Sequence, residues 1–336
     1  MRIKELDAFR GIAALAVVLY HYTTIYSKDF GVESPFYFKY GWLGVPFFFI
    51  LSGFVITLTI ERCQSSLQFL KKRFVRLYPT FWICLLITLI TIWITKSQAI
   101  HPMFDRPFID VLANFTMFHE LFKLHHVDGA YWSLLPELLF YLLMALLFFI
   151  KKVDKVLQYN GTLLIICLIH YFFPIPIFSR LLDLHYVLLF MIGICFYRIY
   201  TRKGNAPFYL HLLIIANLIL GIYLYAIVRP HLDMVIIFVT FPLIVLFFYI
   251  FVYFKFYVLG RSKILLFLGL ISYPLYLVHQ IIGYIFMLYF DQYVPRFLSI
   301  LLTTLIAIGL ASVVTYSLEP LLKKPIKQFI FKLKNQ

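Results

Sequence analysis

Residues 6–26 read LDAFRGIAALAVVLYHYTTIY, and the class of fold follows from this stretch. Its middle, GIAALAVVLY, holds ten consecutive residues without a charge, the pattern of a helix crossing lipid. Arg10 and His21 flank that run, eleven positions apart. At 100° and 1.5 Å per residue they lie about 20° apart around the helix axis and about 16 Å apart along it. One face of a single apolar helix therefore carries a guanidinium near one end and an imidazole deep along its length. A lone arginine at a helix start serves as a topology anchor, and a lone histidine as a packing residue. An anchoring helix needs neither of them aligned, and the aligned pair points to chemistry.

Composition extends this reading to the whole chain. Of its 336 residues 63% are hydrophobic and only 13% are charged, with a mean hydropathy of +0.91. A soluble domain cannot cover that much apolar surface, whereas a bundle that faces lipid tails can. Apolar spans fall at residues 8–26, 41–60, 80–95, 134–150, 161–177, 185–200, 209–228, 233–254, 264–290 and 297–318. The expected fold is an all-α, multi-pass protein of the cytoplasmic (inner) membrane with about ten helices, a single domain over residues 1–336. Several spans fall short of the roughly 20 residues of a full crossing. The first apolar run follows MRIKE directly and has no small-residue cleavage site, so it reads as mature helix and not as a leader. The chain ends soon after its tenth span, and no appended soluble domain is expected.

The net charge of +15 is organised by topology. With the N-terminus in the cytoplasm, 22 of the 30 Lys and Arg residues fall in inner segments and eight in outer ones. That is the positive-inside pattern, and it places both termini in the cytoplasm and makes a nucleic-acid surface improbable. Cys63, Cys84, Cys167 and Cys195 lie in spans or inner loops, so no disulfide is expected. Neither a CxxC motif nor a metal-ligand cluster appears, and no metal is expected.

Along the chain, Asp7 stands three residues before Arg10, a spacing that lets the two side chains meet. The pair reads as an ion pair at the membrane edge or as a carboxylate that aims the arginine. In GWLGVPFFFILSGFVITLTI (residues 41–60), Ser52-Gly53 permits close helix approach or presents a hydroxyl to a polar cavity. The loop ERCQSSLQFLKKRFVRLYP (residues 61–79) is the most cationic, with Arg73 and Arg76 on one helical face. It suits anionic lipid heads, and two forked guanidiniums also suit phosphate oxygens, as on a nucleotide-bearing cofactor. In DGAYWSLLPELLFY (residues 128–141), Pro136 fits a first helical turn, and Glu137 falls where the helix dipole favours an anion. A carboxylate at membrane depth is costly enough to suggest function. His170 and His185 read as packing or interface residues. In GLISYPLYLVHQ (residues 269–280), Ser272, Tyr276 and His279 fall within about 60° around a helix that Pro274 is expected to kink. This stripe faces a polar cavity or bonds to its neighbours. Glu319-Pro320 reads as a helix stop before a basic tail.

These pieces in order resemble the acyltransferase-3 family of multi-pass membrane O-acyltransferases. The resemblance rests on Arg10 and His21 separated by ten residues, FFFILSGF at 47–54 and RFVRLYP at 73–79. It continues through WSLLPE at 132–137, ISYPLYLVH at 271–279 and LEP at 318–320. Ala8 departs from it, because the family more often has glycine there. The resemblance implies transfer of an acyl group, commonly acetyl, from cytoplasmic acyl-CoA (here acetyl-CoA) to a carbohydrate hydroxyl. The acceptor would be lipid-linked or polymeric, as in surface polysaccharides of the cell envelope such as lipopolysaccharide O-antigen. His21, Glu137 and Arg10 are then the candidate catalytic residues. Arg73 and Arg76, with Arg10, are the candidates for binding the donor, and Ser52, Ser272, Tyr276 and His279 are candidates for the substrate cavity. The competing class is a transporter or flippase for a lipid-linked sugar, against which no inverted repeat is found in the sequence.

Overall fold

The structure, a computed structural model, describes residues 3–96, 101–173, 184–202, 206–228, 233–254 and 258–332. Arg2, Arg180, Lys203, Arg229, Lys255 and Lys334, which enter the count of inner and outer cations above, lie outside the described residues, as do 174–177 of the fifth span. All regular secondary structure among the described residues is helical. Seven helical runs are long and apolar enough to cross a membrane: Lys4–Phe30, Gly41–Ile60, Ser66–Thr95, Gly129–Phe149, Phe208–Ile227, Met234–Phe254 and Arg296–Phe331. An eighth is a broken pair, α11 (Lys263–Val278) and α12 (Gln280–Phe290), bent by 76°. The expected spans at 161–177 and 185–200 fall on α7 (Val156–Phe172, 17 residues) and α8 (Leu184–Thr201, 18 residues). By length and composition the described residues thus hold seven crossings, or eight with the bent pair.

Three local expectations are corrected. The cationic stretch at 61–79 is mostly helix, because α4 (Ser66–Thr95) runs from it into the apolar span without a break. Glu319-Pro320 does not stop the last helix. After α13 (Arg296–Val313) comes a π-helical segment, Val314–Leu318, and then α14 (Glu319–Lys332). Proline costs little in a first turn, where its missing N–H has no carbonyl to reach. Pro274 sits inside α11, which continues past it to Val278, and the bend falls at His279 instead.

The backbone forms two compact units. The first holds residues 1–45, 71–135 and 259–336. In it α1 (Lys4–Tyr20) lies along α11 at a separation that only glycine allows: a Cβ on Gly269 would stand 2.0 Å from the Asp7 carbonyl oxygen. The Gly260 N–H adds a bond to Glu5 Oε1 at 3.1 Å. The second unit holds residues 46–70 and 136–258. There α3 (Gly44–Ile60) and α8 meet backbone to backbone, and a Cβ on Gly53 would stand 2.0 Å from the Phe190 carbonyl oxygen. Phe140 stacks on Phe190 with centroids 4.2 Å apart. Asn160 and Asn217 exchange amide hydrogen bonds of 2.8 and 3.1 Å and have no exposed surface. Lipid tails give helices no hydrophobic reason to associate, so small residues and shared polar groups do this work.

Candidate active site

His21 opens a π-helical segment, His21–Ile25, that interrupts the first spanning helix directly after α1. Such bulges shift the hydrogen-bond ladder by one residue and recur at functional sites. The segment lies against the break between α11 and α12, where His279 sits with no exposed surface. The two imidazoles meet there: His279 Nε2 is 3.0 Å from His21 Nδ1, and the ring centroids are 4.8 Å apart at 64°.

The surrounding carbonyls fix the tautomers. His21 Nδ1 is 3.0 Å from the Val17 carbonyl oxygen, and His279 Nδ1 is 2.8 Å from the Tyr276 carbonyl oxygen. A carbonyl only accepts, so each neutral ring carries its proton on Nδ1. His279 Nε2 is then an acceptor and shares the His21 Nδ1–H with Val17. What remains is His21 Nε2, a lone pair with no partner among the described residues. That is the arrangement of a base whose other nitrogen is fixed by its neighbours.

The break that delivers His279 is pinned from both sides. Tyr22 Oη donates to the His279 carbonyl oxygen at 2.8 Å, closing the last turn of α11. Asp128, fully buried, accepts from Ile281 N at 2.9 Å through Oδ2 and from Ala130 N at 2.8 Å through Oδ1. One carboxylate thus caps two helical starts, where unsatisfied N–H groups and the helix dipole favour an anion. Burial pushes the Asp128 carboxyl up to about 7, and the two N–H groups pull it back. Arg296 Nη2 donates to the Tyr22 carbonyl oxygen at 3.2 Å and holds the π segment from the other side.

The remaining sequence candidates separate. Arg10 Nη1 donates to Asp7 Oδ1 at 3.3 Å, the pair that the three-residue spacing predicts. Of the stripe on α11, Ser272 Oγ donates to the Gly269 carbonyl oxygen at 2.9 Å, and Tyr276 Oη meets Ser133 Oγ at 2.8 Å. Ser272 is therefore satisfied within its own helix, and Tyr276 and His279 reach across to other segments. Arg73 is buried while Arg76 is exposed, so the roughly 60° between them turns one inward and the other outward.

Glu137 and Ser52 belong to the second unit, where Ser52 Oγ donates to Glu137 Oε1 at 2.9 Å. Tyr141 Oη, one turn along α6 (Leu134–Phe149), donates to the same oxygen at 2.5 Å. Glu137→Ala is expected to cost about 1–3 kcal/mol, because two hydroxyls lose their acceptor. Glu137→Gln keeps an acceptor oxygen and is expected to melt within a few degrees of wild type. A Gln variant with normal melting and lost transfer would assign the carboxylate to chemistry and not to packing.

Sequence reasoning missed Tyr22, Asp128, Ser133 and Tyr141. Only Asp128 carried a local signal: Asp-Gly at a helix start is an N-cap pattern.

Among known proteins, the chain is 30% identical over 174 residues to OatA, a peptidoglycan O-acetyltransferase of Listeria monocytogenes, covering 46% of this chain and 25% of that protein. It is 32% identical over 74 residues to ORF330 of Acidianus two-tailed virus, which carries an acetyltransferase name, covering 22% of this chain and 21% of that protein. The matched parts thus amount to a quarter or less of the length of these relatives. No solved structure matches. Residues 3–316, nearly the whole chain and both histidines of the site, match the acyltransferase domain, and the protein therefore belongs to the acyltransferase-3 family.

Proposed function

We propose that this membrane protein moves an acetyl group from cytoplasmic acetyl-CoA to a hydroxyl of a cell-surface or lipid-linked carbohydrate, with His21 as the base. The observation that carries the reading is the histidine pair, whose hydrogen bonds leave the Nε2 lone pair of His21 unengaged. An alcohol is a poor nucleophile at neutral pH, and a histidine can take its proton and return it. In the proposed step Nε2 accepts the acceptor hydroxyl's proton while its oxygen attacks the thioester carbonyl. The C–S bond breaks, CoA thiolate leaves toward the cytoplasm, and the imidazolium gives up its proton. A variant in which His21 is acylated first uses the same lone pair. Arg10, aimed by Asp7, holds the donor near the inner face, and Arg73 and Arg76 belong to the donor side. Both termini lie in the cytoplasm, and the membrane is the cytoplasmic one.

Purified protein in nanodiscs, given radiolabelled acetyl-CoA and a panel of glycans, is expected to place label on a glycan as a base-labile ester. Label that stays on CoA with every acceptor, in protein that still binds the donor, would overturn the reading and favour transport. Arg76→Ala is expected to weaken acetyl-CoA binding about threefold to tenfold, a loss that lysine restores only in part. Unchanged affinity in a folded Arg76→Ala protein would leave this arginine a topology anchor.

A further inference from the structure

α14 begins beyond the family match, which ends at residue 316, and it is docked at both ends. Glu319 accepts from Thr80 Oγ1 at 2.7 Å, and Lys71 Nζ donates to the Ile330 carbonyl oxygen at 2.8 Å. The face that α14 turns toward α4 carries Lys323, Lys324 and Lys327, and α4 answers with Lys72 and Arg76. Between them lies an open groove of about 600 Å³, with Phe331 in its wall. Leu321 and Phe329 of α14 are both 70% exposed.

Two cationic faces held together repel each other unless an anion lies between them. Glu319 is the acid that α14 brings to this region, and it is engaged by Lys323 and Thr80. The groove falls in the size range of small-molecule sites, roughly 300–1,000 Å³, and is large for a single inorganic phosphate. Ammonium and guanidinium groups in this number suit phosphate oxygens.

We infer that this groove is a binding site for a multiply charged, phosphate-bearing anion, with Lys324 and Lys327 of the C-terminal helix among its ligands. The phosphates belong to the nucleotide half of an acyl-CoA or to the headgroup of an anionic phospholipid. In the first case the site rests on the donor reading above and extends it to α14. The test reads binding without turnover, so a failure of acyl transfer does not bear on it.

Wild type, K324Q/K327Q, K324R/K327R and the charge-matched control K151Q/K155Q are compared in nanodiscs. In phosphatidylcholine discs, CoA and adenosine 3′,5′-bisphosphate are titrated at two salt concentrations. In discs containing phosphatidylglycerol, retained lipid is counted by native mass spectrometry. In one of the two arms the Gln pair is expected to weaken binding about threefold to tenfold. High salt weakens it further, the Arg pair restores it, and the control matches wild type. The arm that responds names the source of the phosphate. Unchanged binding of the Gln pair in both arms, or an equal loss in the control, would overturn the site.

Discussion

His21→Ala and His21→Gln proteins are both expected to fold, to insert and to lose acyl transfer by 10²–10⁴-fold, the usual worth of general-base help. The pairing of the two variants separates chemistry from packing. His21 Nδ1–H is shared by the Val17 carbonyl and His279 Nε2. Glutamine offers an N–H in that neighbourhood but no basic nitrogen. If His21 acts only through its Nδ1 contacts, the Gln variant recovers much of the activity that Ala loses. If Nε2 takes the proton, the two are equally inactive. His279→Gln is expected to lose less than either, because His279 orients the base and does not touch the hydroxyl. The measurement is initial-rate transfer of labelled acetyl, with melting temperature and donor affinity as controls. A correctly inserted His21→Ala protein within a few-fold of wild type would remove histidine from the mechanism.

The largest expected effect on stability comes from a residue with no side chain. Gly269→Ala places a methyl group 2.0 Å from the Asp7 carbonyl oxygen, less than any real contact allows. Both partners are helical backbone, one in the first turn of α1 and the other inside α11, so neither rotates away as a side chain would. The first helix must slide or tilt, and overpacking of this kind typically costs about 1–3 kcal/mol, with larger residues costing more. Gly269→Val is expected to leave little folded protein, and Gly269→Ala a clearly lower melting temperature in detergent. The shift also moves Asp7 and Arg10 along α1, so transfer should fall in whatever protein survives. Wild-type melting of the Ala variant would mean that α1 and α11 do not touch at this point.

The hydropathy pattern revealed the class of fold because lipid-facing helices need long apolar runs, and the runs from Leu6 and from Pro295 onward are unmistakable. Helical spacing paired Arg10 with Asp7 and put Arg73 near Arg76, since both relations lie within one turn. The same arithmetic did not foresee that Arg73 turns inward, because 60° is enough to separate core from surface. It also placed the kink at Pro274, five residues before the bend at His279. What holds that bend comes from elsewhere in the chain: Asp128 on one side and Tyr22 on the other. The histidine pair was half legible. Each member stood out as an imidazole inside an apolar helix, but 258 positions separate them, and periodicity reports only on neighbours along one helix. Glu137 stood out by its charge, whereas Tyr141, which donates to it, is an ordinary aromatic in an aromatic-rich chain.

That separation has a consequence during synthesis. The helix that carries His21 emerges well before its partner, and His279 follows 258 positions later. At about 5–20 residues per second the first imidazole waits roughly 10–50 s for the second. Through that interval the Asp7 backbone has no Gly269 to pack against, and the Tyr22 hydroxyl lacks the carbonyl to which it donates. A ribosome that stalls before residue 279 therefore releases a chain with a lipid-embedded histidine whose tautomer nothing but Val17 directs. Reactivity in this protein therefore waits on synthesis reaching residue 279, and products cut short before it are expected to be inactive in transfer.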